Sequence, residues 1–328
     1  MKNLNIAFLL LFIFISCSSD DESSTSYDFT FNNQTFSVDE GAKNQTEIGQ
    51  IIISSEQNQT FTFALINESV NGAFYIDNNG KLFVNEEFPF DYETNTQLST
   101  TIRATNGTIE KDAIITVNIN DLDFPMFGLK AGYLFDSTTN NQANDILGNF
   151  IGTITGGVNL ASNRNNESNK ALQFNSGQVE IDKSLVNGLA TFTISGWINN
   201  PNNDNGPILT KGNGTIYDFE IYKGNSGTFF RYNSPTTGLH NSLTPYNSTP
   251  NEWFHFILKV ENNITWTLYI DGNQTDTRTF NEGNSWENEN IKIGGLYGNY
   301  WNGIIDDLLF YDRALTNTEI SQLATDSF

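Results

Sequence analysis

One cysteine among 328 residues, Cys17, leaves no intramolecular disulfide, so the fold must be held without covalent cross-links. Histidine is nearly absent too. His240 and His255 stand far apart in sequence with no metal-spaced partner, and no Ser-His-Asp arrangement can be read from the chain. Basic residues are few, 16 against 38 acids, and the formal net charge of -22 would repel phosphate backbones, which argues against nucleic acid as a partner. What the chain has in plenty is aromatic bulk. Its 26 Phe, 12 Tyr and 5 Trp can fill sizeable cores, and its length exceeds what one core comfortably holds, so two folded domains are expected.

The apolar run Ile6 to Ile15 follows Lys2 and is too short to cross a bilayer as a helix, so residues 1–16 read as a signal peptide. Cys17 comes directly after it, preceded by the small Ser16. This junction resembles a bacterial lipobox, whose cysteine becomes the lipidated first residue of the mature chain. Ser18-Ser19-Asp20-Asp21-Glu22 looks like the acidic surface-export tag of lipoproteins in the Bacteroidetes group. Both resemblances imply an outer-membrane lipoprotein exposed at the cell surface, held by lipid at Cys17, with residues 17–26 as a polar tether.

Residues 27–123 are all-β by pattern: Phe61, Phe63 and Leu65 alternate with polar positions, as do Leu98, Ile102 and Ala104. Asn79-Gly80, between Phe74-Tyr75-Ile76 and Lys81-Leu82-Phe83-Val84, predicts a hairpin, because both turn positions tolerate positive φ. About seven strands in this span predict an immunoglobulin-like sandwich. Ile115, Val117 and Ile119 carry the alternation into the last strand, where Asp121, Asp123 and Pro125 end it.

The order Phe36-Ser-Val-Asp-Glu40-Gly41, Phe74-Tyr-Ile-Asp77, Phe90-Asp91-Tyr92-Glu93 and Ile115 to Phe127 is similar to a cadherin repeat. The resemblance implies structural Ca2+. Glu40 matches the family's early calcium-binding glutamate, Glu93 the glutamate of its Asp-Xaa-Glu motif, and Asn120-Asp121 the Asn-Asp of its terminal motif. Glu40, Asp91, Glu93, Asp121 and Asp123 are therefore the expected ligands, since the ion takes about 6–8 oxygens. Asn118, Leu122 and Asn106 depart from the family pattern. The plainer alternative is that these acids are a solvated domain boundary.

After a linker at 124–127, residues 128–328 stay β but with longer strands. Phe192, Ile194 and Ile198 oppose Thr193, Ser195 and Trp197; Phe254, Phe256, Leu258 and Val260 oppose Trp253, His255 and Ile257. Thr316 and Glu319 form a capping-box pattern with Leu315 and Ile320 at staple spacing, which predicts a short helix. Gly132-Tyr-Leu-Phe-Asp136, Ala171-Leu-Gln-Phe174, Phe192-Thr-Ile-Ser-Gly-Trp197, Leu268-Tyr-Ile-Asp-Gly272 and Trp301-Asn-Gly-Ile-Ile-Asp306-Asp307 follow in order. Together they resemble a laminin-G-like, concanavalin-type jelly roll. The fold class expected is thus all-β, two domains, a cadherin-like sandwich followed by a jelly roll.

That resemblance implies a glycan or protein binder, often with calcium on the rim and sometimes an enzyme. Asp136, Asp145 and Asp306 are the candidate rim ligands. For hydrolysis, Glu180-Ile181-Asp182 places two carboxylates on one strand face about 6.6 Å apart. Ser184 and Leu185 then stand where a third acid would be needed, so the pair reads as a solvated strand end rather than a catalytic one. For binding, Trp286, Tyr297, Tyr300 and Trp301 lie among Asn and Gly, a composition suited to stacking on sugars, although Trp301 could equally close the sandwich. The expected function is that of a non-catalytic, calcium-binding, lipid-anchored surface binding or adhesion protein, recognising glycan or a cell-surface protein through the laminin-G-like domain. The alternatives are cell-cell adhesion by the first domain and polysaccharide hydrolysis by the second.

Overall fold

The computed structural model describes residues 27–325 apart from Phe88, Glu93, Asp123, Asn203, residues 234–239, Asn284, Ser285 and Glu287. The expected signal peptide and tether, with Cys17, therefore lie outside the described residues, as do the expected ligands Glu93 and Asp123.

Two β-sandwich cores lie in sequence order. In the first, Gln34–Asp39, Glu110–Asn120, Gln97–Thr105 and Thr62–Glu68 form one sheet, with the first two strands parallel. Glu47–Gln50, Lys81–Val84 and Phe74–Ile76 form the facing sheet. The period-2 pattern is what builds it: Leu98, Ile102, Ala104, Ile115, Val117 and Ile119 all turn inward and are buried with Phe74, Leu82 and Phe90. The expected hairpin is present. Gly80 has φ +77°, and the Asp77 carboxylate accepts from the amides of Asn79 and Lys81, fixing the turn.

The second domain is one curled sheet that, among the described residues, contains fifteen strands. Phe192–Asn199 lies at its centre, between Trp253–Glu261 and Ile304–Tyr311. Phe192, Ile194, Ile198, Phe254, Phe256 and Leu258 enter the main core with Tyr133, Phe174, Phe219, Trp266 and Trp301. The opposite parity forms a second layer. Ile257, Leu309, Tyr311 and Leu129 are covered there by Leu315 and by Ile320 and Leu323 of the C-terminal helix Asn317–Thr325. The capping box forms as the sequence predicts: Thr316 Oγ1 accepts from the Glu319 amide and the Glu319 carboxylate accepts from the Thr316 amide.

The joint between the domains is packed. Phe124 and Met126 extend the helix-covered layer, Met126 lies against Gly41, and Gln322 Nε2 donates to Leu122 O at 3.2 Å. Arg313 Nε donates to Phe127 O at 2.8 Å, while its guanidinium grips Glu319. The linker is thus held by side chains from the far end of the chain.

Candidate ligand-binding site

Strand parity creates the first site. In Tyr217–Gly224, Phe219 and Ile221 enter the core, so Glu220 and Tyr222 face the other way; in Gly227–Asn233, Phe230 and Tyr232 enter it, so Phe229 and Arg231 face outward. The hairpin register sets Glu220 opposite Arg231. Arg231 Nε lies 2.7 Å from Glu220 Oε2, and its guanidinium covers the Tyr222 ring at 5.0 Å. Burial pushes the Glu220 carboxyl above its usual range, with Arg231 opposing.

A second hairpin closes over this floor. Gly295–Leu296 pairs with Asn299–Tyr300, and Tyr297 at its tip has φ +48° and is 62% exposed. Tyr217, Glu220, Tyr222 and Arg231 below, with Leu296, Tyr297 and Asn299 beside them, enclose an open cleft of about 360 Å³. Tyr217 is held by its hydroxyl, which donates to Gly214 O at 2.9 Å. Lys292 Nζ sits 4.9 Å from the Tyr297 ring and 3.9 Å from the Glu289 carboxylate.

Of the four aromatics expected to bind ligand, only Tyr297 lines this cleft. Trp301 is a correction: its ring is fully buried beside Phe174, in a slot that exists because Gly303 has no side chain, and it presents no surface to a ligand. Trp286 packs edge-on against Phe192 at 5.8 Å, and Tyr300 lies against Gly295. Sequence reading passed over Tyr217, Glu220, Tyr222 and Arg231. The usable signal was the alternation around Phe219 and Ile221, together with the short Asn225-Ser226 turn that fixes the register.

The expected rim ligands of the second domain do not converge on a metal. Asp145 accepts four backbone amides, from Gly132, Leu147, Asn149 and Phe150, so its oxygens pin a loop. Asp306 and its neighbour Asp307 are buried, and Arg164 Nη1 reaches them at 3.0 and 2.5 Å. Asp136 pairs with Lys170 at 2.8 Å. Among the described residues no three carboxylate, histidine or cysteine side chains are grouped to hold a metal ion. Guanidinium and ammonium groups of the chain itself supply the positive charge here.

The joint is different in character. Glu40 is 2% exposed; its carboxylate accepts from the Leu122 amide at 3.0 Å and the Tyr92 amide at 3.4 Å. Asp91 is also buried. One of its oxygens accepts from Thr94 Oγ1, and the other has no hydrogen-bond partner among the described residues. Burial, with repulsion from Asp121 and Asp91, pushes the Glu40 carboxyl up to about 7. Asp91 and Asp121 are near enough to raise Glu40, but among the described residues the three are not grouped as a metal site.

The other candidate residues lie elsewhere. Ser195 Oγ lies 2.8 Å from His255 Nε2, but both residues are about 1% exposed and His255 Nδ1 has no partner. Burial beside Arg164 pushes His255 down to about 3, so it is neutral. Glu180 accepts from Asn290, and Asp182 caps the short turn Lys183–Leu185. His240 lies in the strand His240–Ser242.

Residues 173–321, within the second domain, match the family model of the concanavalin A-like lectin/glucanases superfamily. No curated protein shows significant similarity to the chain. Among solved structures, domain 4 of AbnA, a GH43 extracellular arabinanase from Geobacillus stearothermophilus in complex with arabinotriose, has TM-score 0.50 and 22% identity. That likeness covers 60% of this chain and 98% of that one. The binding domain of Paraclostridial Mosquitocidal Protein 1 has TM-score 0.49 and 21% identity, over 60% of this chain and 52% of that one. The binding domain of botulinum neurotoxin DC in complex with SialylT has TM-score 0.48 and 17% identity, over 60% and 51%. The chain therefore spans about half the length of those two toxin structures, and at such identities the likeness is one of fold.

Proposed function

We propose that the protein is a non-catalytic surface binding protein, anchored in the outer membrane by lipid at Cys17. Its cadherin-like first domain carries a concanavalin A-like second domain outward to meet a glycan. The observation that carries this reading is the cleft of Tyr217, Tyr222 and Tyr297 over the Glu220–Arg231 pair. Tyrosine faces stack on the C–H faces of sugars, and a paired acid and base offer acceptors and donors to hydroxyls. A neighbour of similar fold solved with arabinotriose is in keeping with it. Binding of the full chain to a glycan panel tests the reading, with Tyr297→Ala expected to weaken binding on the order of tenfold. If no glycan binds while a cell-surface protein does, the partner is protein instead.

Structural Ca2+ at the joint belongs to the same reading. Glu40 and Asp91 fit it by their burial, their mutual repulsion and the unpaired Asp91 oxygen, with Asp121 beside them. Bound there, the ion would neutralise the cluster and stiffen the approach to the second domain. The pH dependence follows from Glu40. Its folded pKa lies above the ordinary 4.5, so the folded chain holds a proton that the unfolded chain has released. In chelator, stability therefore falls as pH rises from about 4.5 to about 7. Calcium at a hundred times its Kd should raise the first domain's Tm at pH 7.5 on the order of 10 °C, and by much less at pH 5. Superimposable melts with calcium and with chelator at pH 7.5 would remove the ion from the proposal.

A further inference from the structure

We infer that the cleft selects neutral, hydroxyl-rich oligosaccharides and turns away acidic ones; this rests on the glycan reading above and narrows its ligand. Charges at the cleft are already matched. One basic side chain lines the cleft, Arg231, and it already faces Glu220 at 2.7 Å; Lys292, beside the Tyr297 ring, faces Glu289 at 3.9 Å. The remaining lining, including Pro207, Gly214, Leu296 and Asn299, is uncharged. A uronate, sialate or sulfate entering here must either lie beside Glu220 or draw Arg231 away from it. The second course leaves a carboxylate that is 2% exposed without its counter-charge. The net charge of -22 adds long-range repulsion at low salt.

A neutral sugar meets no such cost. Glu220 can accept from one hydroxyl, and guanidinium N–H groups not engaged by Glu220 can donate to its neighbour, so a vicinal diol fits the pair without breaking it. Tyr297 and Tyr222 offer ring surface for the apolar faces of the same sugar. A cleft of about 360 Å³, near the lower end for small-ligand sites, suits a short stretch of chain rather than a long one.

The test is titration of the full chain with neutral arabinan and β-glucan oligosaccharides, and with oligogalacturonate and a sialylated oligosaccharide, at 20 and 150 mM salt. The expected result is binding of at least one neutral probe, with both acidic probes at least tenfold weaker at each salt concentration. Glu220→Gln removes the negative partner and frees Arg231, so it should shift the neutral-to-acidic preference toward the acidic probes by tenfold or more. Tyr297→Ala, at an exposed hairpin tip, should weaken the neutral probe on the order of tenfold while leaving the melting temperature unchanged. Acidic probes binding as tightly as neutral ones, with the Tyr297→Ala loss intact, would overturn the selectivity and leave glycan recognition standing. No binding by any probe would overturn both.

Discussion

Replacing Arg164 by alanine will destabilise the second domain by about 3–5 kcal/mol, the usual cost of stripping one partner from a buried ion pair. Arg164 has 9% of its side-chain surface exposed, and Asp306 and Asp307 have 2% and 3%. Without the guanidinium, two adjacent carboxylates remain in a site with almost no water. Burial first, and then the charge of Asp307, already push Asp306 up to about 8; burial pushes Asp307 to about 6 against the pull of Arg164. The sign of the pH dependence follows. These groups bind protons in the folded state that the unfolded chain releases near 4, so their contribution to stability falls as pH rises. Losing Arg164 raises both further, so the deficit of Arg164→Ala should be small near pH 4 and largest at pH 8. Urea unfolding at those two pH values reads it. A deficit equal at both would mean that Arg164 acts by packing on Trp197, whose ring it covers at 4.5 Å, and not by charge.

The second large effect is at Trp301. Its indole is wholly buried against Phe174 and fills the space left by Gly303, where an added Cβ would stand 1.9 Å from the ring. Trp301→Ala should therefore cost about 3–5 kcal/mol as a large core truncation. Trp301→Phe should cost clearly less. It keeps an aromatic ring in the slot and removes an indole N–H that has no hydrogen-bond partner among the described residues. Both variants, compared at a temperature where they are folded, should bind glycan within about twofold of the parent chain, because the ring touches no cleft surface. A tenfold loss of affinity in Trp301→Phe with an unchanged melt would return Trp301 to the binding site.

The fold class was legible because period-2 alternation is a local property. Ile115, Val117 and Ile119 announce their shared face within five residues, and the Thr316–Glu319 box announces a helix start within four. The cleft was not. Tyr297 was visible as an aromatic among Gly and Asn, yet Glu220 and Arg231 look like ordinary polar positions of buried strands until the register sets them face to face. Trp301 stands in the same Asn- and Gly-rich stretch as Tyr297, but Gly303 admits it to the core while the hairpin tip carries Tyr297 out. Composition cannot separate the two.

By itself the sequence determined the alternating faces, the aromatic cores, the acidic surface charge and the position of the single helix among the described residues. These depend on neighbours a few positions apart. Tertiary structure alone decided which charges are matched: Arg164 meets Asp306 across 142 positions, and the Tyr297 hairpin reaches a floor laid down far earlier in the chain. Such pairings are set by where the loop at Arg164 and the separate hairpin at Tyr297 come to rest against the main sheet. A carboxylate's role depends on whether a cation, a row of amides or water finally stands beside it.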